Sequence, residues 1–273
     1  MRAFLNKPFI SSLERACYRK EWQIQLDMLI LSLMEDQMVK LCIPITGSDR
    51  EEIKSQLNEL ALLDFEMIEW RADYHFSMEV LKEISEAFPD KELIFTYRTK
   101  VEGGETQPED EFLSFVYTLV ALSGMVHIID LELEGICKTS PDIIKRLKPS
   151  GVKLMISNHD FEKTPSEKEI TDRFKKMETL GADIAKIAVM PGRIKDVEIL
   201  ISAAKTANKL LGIPIVAISM GELGKKTRIE GEEFGSIITF GSLDKKSAPG
   251  QIPAKELMEM LKAQYQQSRM GLS

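Results

Sequence analysis

The sequence predicts an α/β protein built as a (β/α)8 barrel with an N-terminal helical extension. Short apolar runs alternate with amphipathic stretches from Lys40 to the end of the chain. Eight such units fit into about 230 residues, the size and rhythm of a closed parallel barrel. No Gly-x-Gly-x-x-Gly follows the first strand, which disfavours the competing doubly wound sheet with a bound dinucleotide.

The first strand is expected at residues 41–46, followed by a helix at 49–62 with Ile53, Leu57 and Leu60 at helical spacing. The alternation repeats with strands at 65–70, 93–97, 126–131, 152–156, 184–189, 213–219 and 237–240. Between them come helices near 77–87, 108–123, 141–147, 166–180 and 195–210, a short one at 222–228, and a closing helix at 254–267. The strand runs are almost continuously apolar, as parallel strands covered on both faces must be. No linker, composition break or repeat marks a second domain, so residues 38–273 read as one catalytic barrel. Residues 1–37 look helical and amphipathic but belong to no unit. They either pack across the barrel bottom, mediate contacts, or reflect a start codon placed too far upstream.

A net charge of -7 and a pI near 5.3 argue against a general nucleic-acid or anionic-membrane binder. Cys17, Cys42 and Cys137 are odd in number and widely spaced, which suggests a reducing compartment without disulfides or a zinc site. His75, His127 and His159 have no ligand-type spacing, so no metal is expected. No apolar run approaches the ~20 residues of a membrane span. The segment 28–34 is too short and too acidic in its approach for a secretory signal, and Glu14, Glu21 and Asp27 count against a transit peptide. A cytoplasmic protein is expected.

Lys186 stands inside GADIAKIAVMP, a run that is otherwise apolar after Asp183. On alternation it shares a face with Ile184, Ala188 and Met190, where desolvation should depress its pKa and make a neutral amine available for imine chemistry. The plainer alternative is that it pairs with Asp183 or snorkels to water. Other capable groups close other strands: Glu69 and Arg71, then Arg98 and Glu102, then His159 after Ser157 and Asn158. A parallel barrel builds its active site at these strand ends.

His159 has the intrinsic pKa of a general acid/base, and Glu102, before Gly103-Gly104, is placed to orient it. Glu69 and Arg71, two apart on one strand face, form with Arg98 a polar cradle for an oxygen-rich substrate. Arg228 is a candidate carboxylate anchor. Ser247 and Gln251 flank a Pro-Gly turn that can carry them over the mouth. For each of these the alternative is a structural ion pair, a packing residue or an ordinary surface loop. The string GELGKKT lacks two spacer residues of a phosphate loop.

The strings EWRAD, FTYRTKVEGG, SNHDFEKTP, ADIAKIAVMP, SMGELGKKTRI and SAPGQIP together resemble the type I 3-dehydroquinate dehydratases, Schiff-base enzymes of the shikimate pathway of aromatic amino acid biosynthesis. The resemblance runs from about Lys40 to the end, in order and at compatible spacing. It implies a metal-free TIM barrel without cofactor, commonly a homodimer, acting on the small molecule 3-dehydroquinate. By the same resemblance Lys186 forms the imine, His159 is the acid/base and Glu102 its carboxylate partner. Glu69, Arg71 and Arg98 match positions that hold substrate hydroxyls and order the site, and Arg228, Ser247 and Gln251 match carboxylate-binding and lid positions. Two other readings remain: a class I aldolase-type barrel, disfavoured by the missing phosphate loop, and a non-catalytic ligand sensor, disfavoured by the intact Lys186, His159 and Glu102.

Overall fold

The computed structural model describes residues 39–139, 142–243 and 246–270. The 1–37 extension, and Asp244 and Lys245 of the last turn, lie outside the described residues. Eight strands run parallel to their neighbours: β1 (Lys40–Ile45), β2 (Met67–Arg71), β3 (Glu92–Thr96), β4 (Ile128–Glu132), β5 (Lys153–Asp160), β6 (Ile184–Val189), β7 (Ile215–Ser219) and β8 (Ile238–Ser242). Continuous pairing runs from β7 through β1 to β8. Between β7 and β8 the barrel is joined by the bridge Ile215 to Ser236, by Ile237 N–H donating to Ile215 O at 3.0 Å, and by the Ser236 hydroxyl accepting Ala217 N–H at 3.0 Å. A two-residue strand, β9 (Ile252–Pro253), pairs with the end of β8.

Period-two alternation divides the strand residues into two cores. Outward-facing Ile43, Ile68, Phe95, Ile129, Leu154, Ala185 and Ala217 pack beneath the helices. Inward-facing Cys42, Met67, Ile94, Ile128, Met155, Ile184, Val216 and Ile238 plug the barrel. Two residues further along the same inner face the chemistry changes: Glu69, Thr96, Asp130, Ser157 and Lys186 replace the apolar side chains and are buried. The site therefore rests on a dry floor at the C-terminal ends of the strands.

The helices covering the strands are α1 (Arg50–Leu60), α2 (Met78–Ala87), α3 (Asp110–Ser123), α4 (Leu133–Thr139), α5 (Ile143–Leu147), α6 (Glu167–Leu180), α7 (Ile194–Leu210), α8 (Lys225–Ile229) and α9 (Ala254–Met270). Local chemistry sets their ends. Ser166 caps α6 in a reciprocal box with Glu169, an arrangement whose loss costs about 1 kcal/mol, and Gly181 at φ 98° ends it in the left-handed region.

The structure corrects three expectations. β5 does not stop at residue 156 but continues through His159 to Asp160, because β6 pairs with it along that whole length. α4 was not expected, and it starts directly from β4, which itself ends at Glu132 rather than at residue 131. α8 begins at Lys225, not at residue 222, because Gly221 takes φ 68° and starts a turn.

Candidate active site

All six residues of β6 are buried, and Lys186 is 4% exposed. Its amine does not snorkel, and it does not pair with Asp183, which instead binds Lys148 Nζ at 2.6 Å and Leu154 N–H at 2.8 Å. Lys186 Nζ donates to Asp130 at 3.2 Å and to Glu69 at 3.4 Å, and lies 4.2 Å from the centre of the Phe240 ring. The amine is thus buried as expected, in the company of two carboxylates from other strands.

Those carboxylates belong to a network centred on Arg98, 4% exposed, which reaches Asp130 at 2.9 Å, Glu132 at 3.2 Å, Ser157 Oγ at 2.9 Å and Glu102 at 3.7 Å. Burial opposes the Arg98 charge, but Asp130, Glu132, Glu102 and Glu69 outweigh it and raise its pKa. Asp130 also accepts Ser157 Oγ–H at 2.5 Å. Burial acts to raise the Asp130 carboxyl, yet Arg98 and then Lys186, with the Ser157 hydrogen bond, hold it below its ordinary range. Glu132 accepts Thr99 N–H at 2.8 Å and Thr99 Oγ1–H at 2.6 Å, while Glu69 accepts Thr96 Oγ1–H at 2.9 Å.

Glu102 ends a short 3-10 turn, Lys100–Glu102, that folds tightly back on the barrel. Gly103, at φ 84°, lies against the Phe161 ring, and any Cβ on Gly104 would collide with the carbonyl of Arg98. This fold drives Glu102 onto β5. Its Oε2 lies 2.8 Å from His159 Nδ1 and accepts His159 N–H at 3.0 Å. Burial, opposed by Arg98, pushes the Glu102 carboxyl up to about 8. Burial, followed by the charges of Arg98, Lys186 and Arg71, holds the His159 imidazole well below its usual range. The imidazole is therefore neutral rather than a standing cation, and the couple gives up its titratable proton from Glu102 as pH rises through about 8.

Arg71 and Arg228 differ in their company. Arg71 forms a bidentate pair with Asp73 at 2.8 Å and 2.8 Å. Arg228, 1% exposed, reaches only carbonyl oxygens, those of Phe240 at 3.4 Å and Pro249 at 3.2 Å, and its Nε has no partner. Burial alone lowers its pKa to about 10. Among the described residues no carboxylate pairs with it, which leaves a dry cation facing the pocket. Above it, Gln251 Oε1 accepts Ser247 N–H at 2.7 Å and Ala248 N–H at 3.2 Å, and Gln251 Nε2 donates to Ser247 Oγ at 3.0 Å. Gln251 thus closes the turn upon itself.

All nine residues singled out in the sequence, Glu69, Arg71, Arg98, Glu102, His159, Lys186, Arg228, Ser247 and Gln251, line this one pocket. A larger cavity of ≈ 180 Å³, against ≈ 50 Å³ at the barrel mouth, lies between α3 and α4, but no lysine, arginine or histidine lines it. The site chemistry belongs to the smaller pocket. Sequence reasoning missed Asp130, Glu132, Ser157, Asp73 and Phe240. The string IIDLELE held the signal for the first two, since acids closing an apolar run are the pattern that singled out Glu69.

A family model described as type I 3-dehydroquinase matches residues 41–268. A 3-dehydroquinate dehydratase of Clostridium novyi (strain NT) is 38% identical over 237 residues, spanning 84% of this chain and 94% of the relative. The structure of a type I 3-dehydroquinate dehydratase from Clostridium difficile with covalently modified comenic acid superposes with a TM-score of 0.80 at 37% identity, covering 84% of this chain and 94% of that one. The 3-dehydroquinate dehydratase of Geobacillus kaustophilus HTA426 gives a TM-score of 0.79 at 30% identity, with 82% and 90% coverage.

Proposed function

The chain belongs to the type I 3-dehydroquinase family, and from that premise we propose that Lys186, His159 and Glu102 carry its reaction. The enzyme is a hydro-lyase of the shikimate pathway, converting 3-dehydroquinate to 3-dehydroshikimate and water. The observation that carries the assignment is a buried lysine at the C-terminal mouth of the barrel, beside a Glu102–His159 couple and an arginine that has no acidic partner among the described residues.

Asp130 and Glu69 hold the Lys186 amine at the barrel mouth. The free amine adds to the C3 ketone, and loss of water leaves an iminium. That cation draws electron density as the C2 proton departs, which lowers the barrier without a metal. His159 takes the C2 proton, then returns it to the C1 hydroxyl as water leaves, and finally assists hydrolysis of the imine. One base acting twice requires both groups on one face, hence a syn elimination. Glu102 holds the imidazole by Nδ1. Arg228 pairs with the C1 carboxylate, fixing which carbon faces His159. Arg98 orders Asp130, Glu102 and Glu132, while Glu69 and Arg71 face the substrate hydroxyls, and the Ser247 to Gln251 turn covers them.

Residues 38–273 act as the catalytic barrel and the 1–37 extension lies outside the chemistry. We read the working form as a cytoplasmic homodimer. Among the described residues no helix is long and apolar enough to cross a membrane. Phe112, Phe115 and Leu122, at 42%, 62% and 74% exposure on one side of α3, supply apolar surface suited to self-association.

Turnover of the purified protein with 3-dehydroquinate, followed by ultraviolet absorbance of the conjugated product, is the test. Wild type should turn over, Lys186→Met should not, and His159→Ala should form the adduct but lose elimination by the 10²- to 10⁴-fold expected of a general acid/base, about. A His159→Ala enzyme within about tenfold of wild type would remove His159 from the role of base.

A further inference from the structure

Asn158 stands between the two inward-facing groups Ser157 and His159 on β5, so alternation turns it away from the pocket and towards α6. It is nonetheless 7% exposed. On the outer side Arg173, from α6, donates from Nη1 to Asn158 Oδ1 at 2.7 Å. A guanidinium has donors only, so the amide oxygen must face Arg173 and the amide nitrogen must face the other way. There it meets Glu102: Asn158 Nδ2 lies 3.5 Å from Oε1. The other Glu102 oxygen, Oε2, accepts His159 N–H and faces Nδ1. Arg173 is steadied by Asp160 at 3.8 Å, whose Oδ1 accepts Glu162 N–H and Lys163 N–H.

The ionisable groups around Glu102 are Arg98 at 3.7 Å, just beyond the end of β3, Asp130 and Glu132 from β4, and His159 from β5; Lys186 and Arg71 act on His159 in turn. Asp130 and Glu132 disfavour a charge on Glu102, so each donor that reaches it matters. We propose that Asn158, oriented by Arg173, is a positioning residue for the reaction: it occupies Oε1 of Glu102 so that Oε2 stays aimed at His159 Nδ1. The proton of the couple is then held at Nδ1, and Nε2 is free to take the C2 proton. This rests on the reading of His159 as the base and Glu102 as its partner.

Asn158→Asp keeps the shape and the contact with Arg173 but turns a donor into an acceptor beside Glu102. Its kcat should fall about tenfold, the loss of one charge-assisted hydrogen bond. KM for 3-dehydroquinate should stay within about twofold, since Asn158 does not line the pocket. The acid limb of kcat/KM should move to higher pH, and borohydride should still trap the imine on Lys186. Arg173→Met, at a partly exposed side chain, leaves the amide free to flip and should lose activity in the same direction but less; Arg173→Lys should restore it. An Asn158→Asp enzyme with kcat within about twofold of wild type and an unmoved acid limb overturns the inference, as does an Arg173→Lys enzyme no better than Arg173→Met. Where Asn158→Asp does not fold, the Arg173 pair decides. His159→Ala separates the two readings. If it stays active, the assignment of the base fails; if it is inactive while Asn158→Asp is unaffected, only the positioning role fails.

Discussion

Replacing Arg228 with methionine should weaken substrate binding while leaving the fold as stable as before, or more so. The side chain is 1% exposed, and among the described residues its Nε has no partner and its other nitrogens meet only two carbonyl oxygens, at 3.4 Å and 3.2 Å. Burial lowers its pKa by more than two units from the ordinary guanidinium value, to about 10. At about 1.36 kcal/mol per unit, holding this charge in the dry interior costs roughly 3 kcal/mol. Methionine removes that penalty, leaving two carbonyls short of a donor at about 1 kcal/mol each. The net change in stability is near zero or slightly favourable. Binding moves the other way, since charge-assisted bonds to a carboxylate contribute about 1.5–3 kcal/mol each, or roughly 10² in KM. Guanidinium unfolding and steady-state kinetics on the same preparations read both quantities. Arg71→Met is the contrast: it leaves the charge of Asp73, 4% exposed, with only the N–H groups of Arg98 and Glu105, and should cost about 3 kcal/mol. An Arg228→Met protein destabilised by more than about 2 kcal/mol with an unchanged KM would refute this reasoning.

Three further outcomes are expected. The base-competent couple has Glu102 ionised and His159 neutral, and burial raises Glu102 to about 8, so kcat/KM should fall as pH drops through that value and level off above it; a flat profile between pH 6 and 9, about, would contradict the coupling. Gln251→Ala frees Ser247 N–H and Ala248 N–H and loosens the turn, so KM should rise by the worth of one neutral hydrogen bond, about 0.5–1.5 kcal/mol, with kcat reduced less than about tenfold, and limited proteolysis of residues 244–251 should become less sensitive to substrate. Deleting residues 1–37 should leave circular dichroism and kinetics intact, because all the site residues lie beyond it, and an unfolded truncate would place the extension in the core.

The succession of strands and the candidate lysine were legible because both follow from local pattern. A charge within an apolar run is costly wherever it is buried, which draws notice to Lys186, and the capable groups closing other strands set it apart from a snorkelling lysine. The partners of Arg98 are a different matter. Asp130, Glu132 and Ser157 lie 32 to 59 residues away in sequence, and only the staggered pairing of β3, β4 and β5 brings them to one guanidinium. Alternation predicted which face each occupies but not which neighbour it meets. The end of β5 was misplaced for a related reason: Ser157, Asn158 and His159 look like a loop by composition, and the ladder with β6 overrides that. The self-closing hydrogen bonds of Gln251 depend on a turn geometry that a Pro-Gly pair suggests but does not specify.

The central claim is a covalent imine on Lys186, and borohydride added during turnover with 3-dehydroquinate tests it most directly. Reduction of a C=N bond is irreversible, so activity should be lost only when substrate and reductant are present together, and mass spectrometry should find the added mass on the peptide bearing Lys186. Lys153, exposed at the start of β5, and Lys225, on α8, serve as internal controls and should remain unmodified. Inactivation with Lys186 unmodified, or with the label on either control lysine, would contradict the assignment.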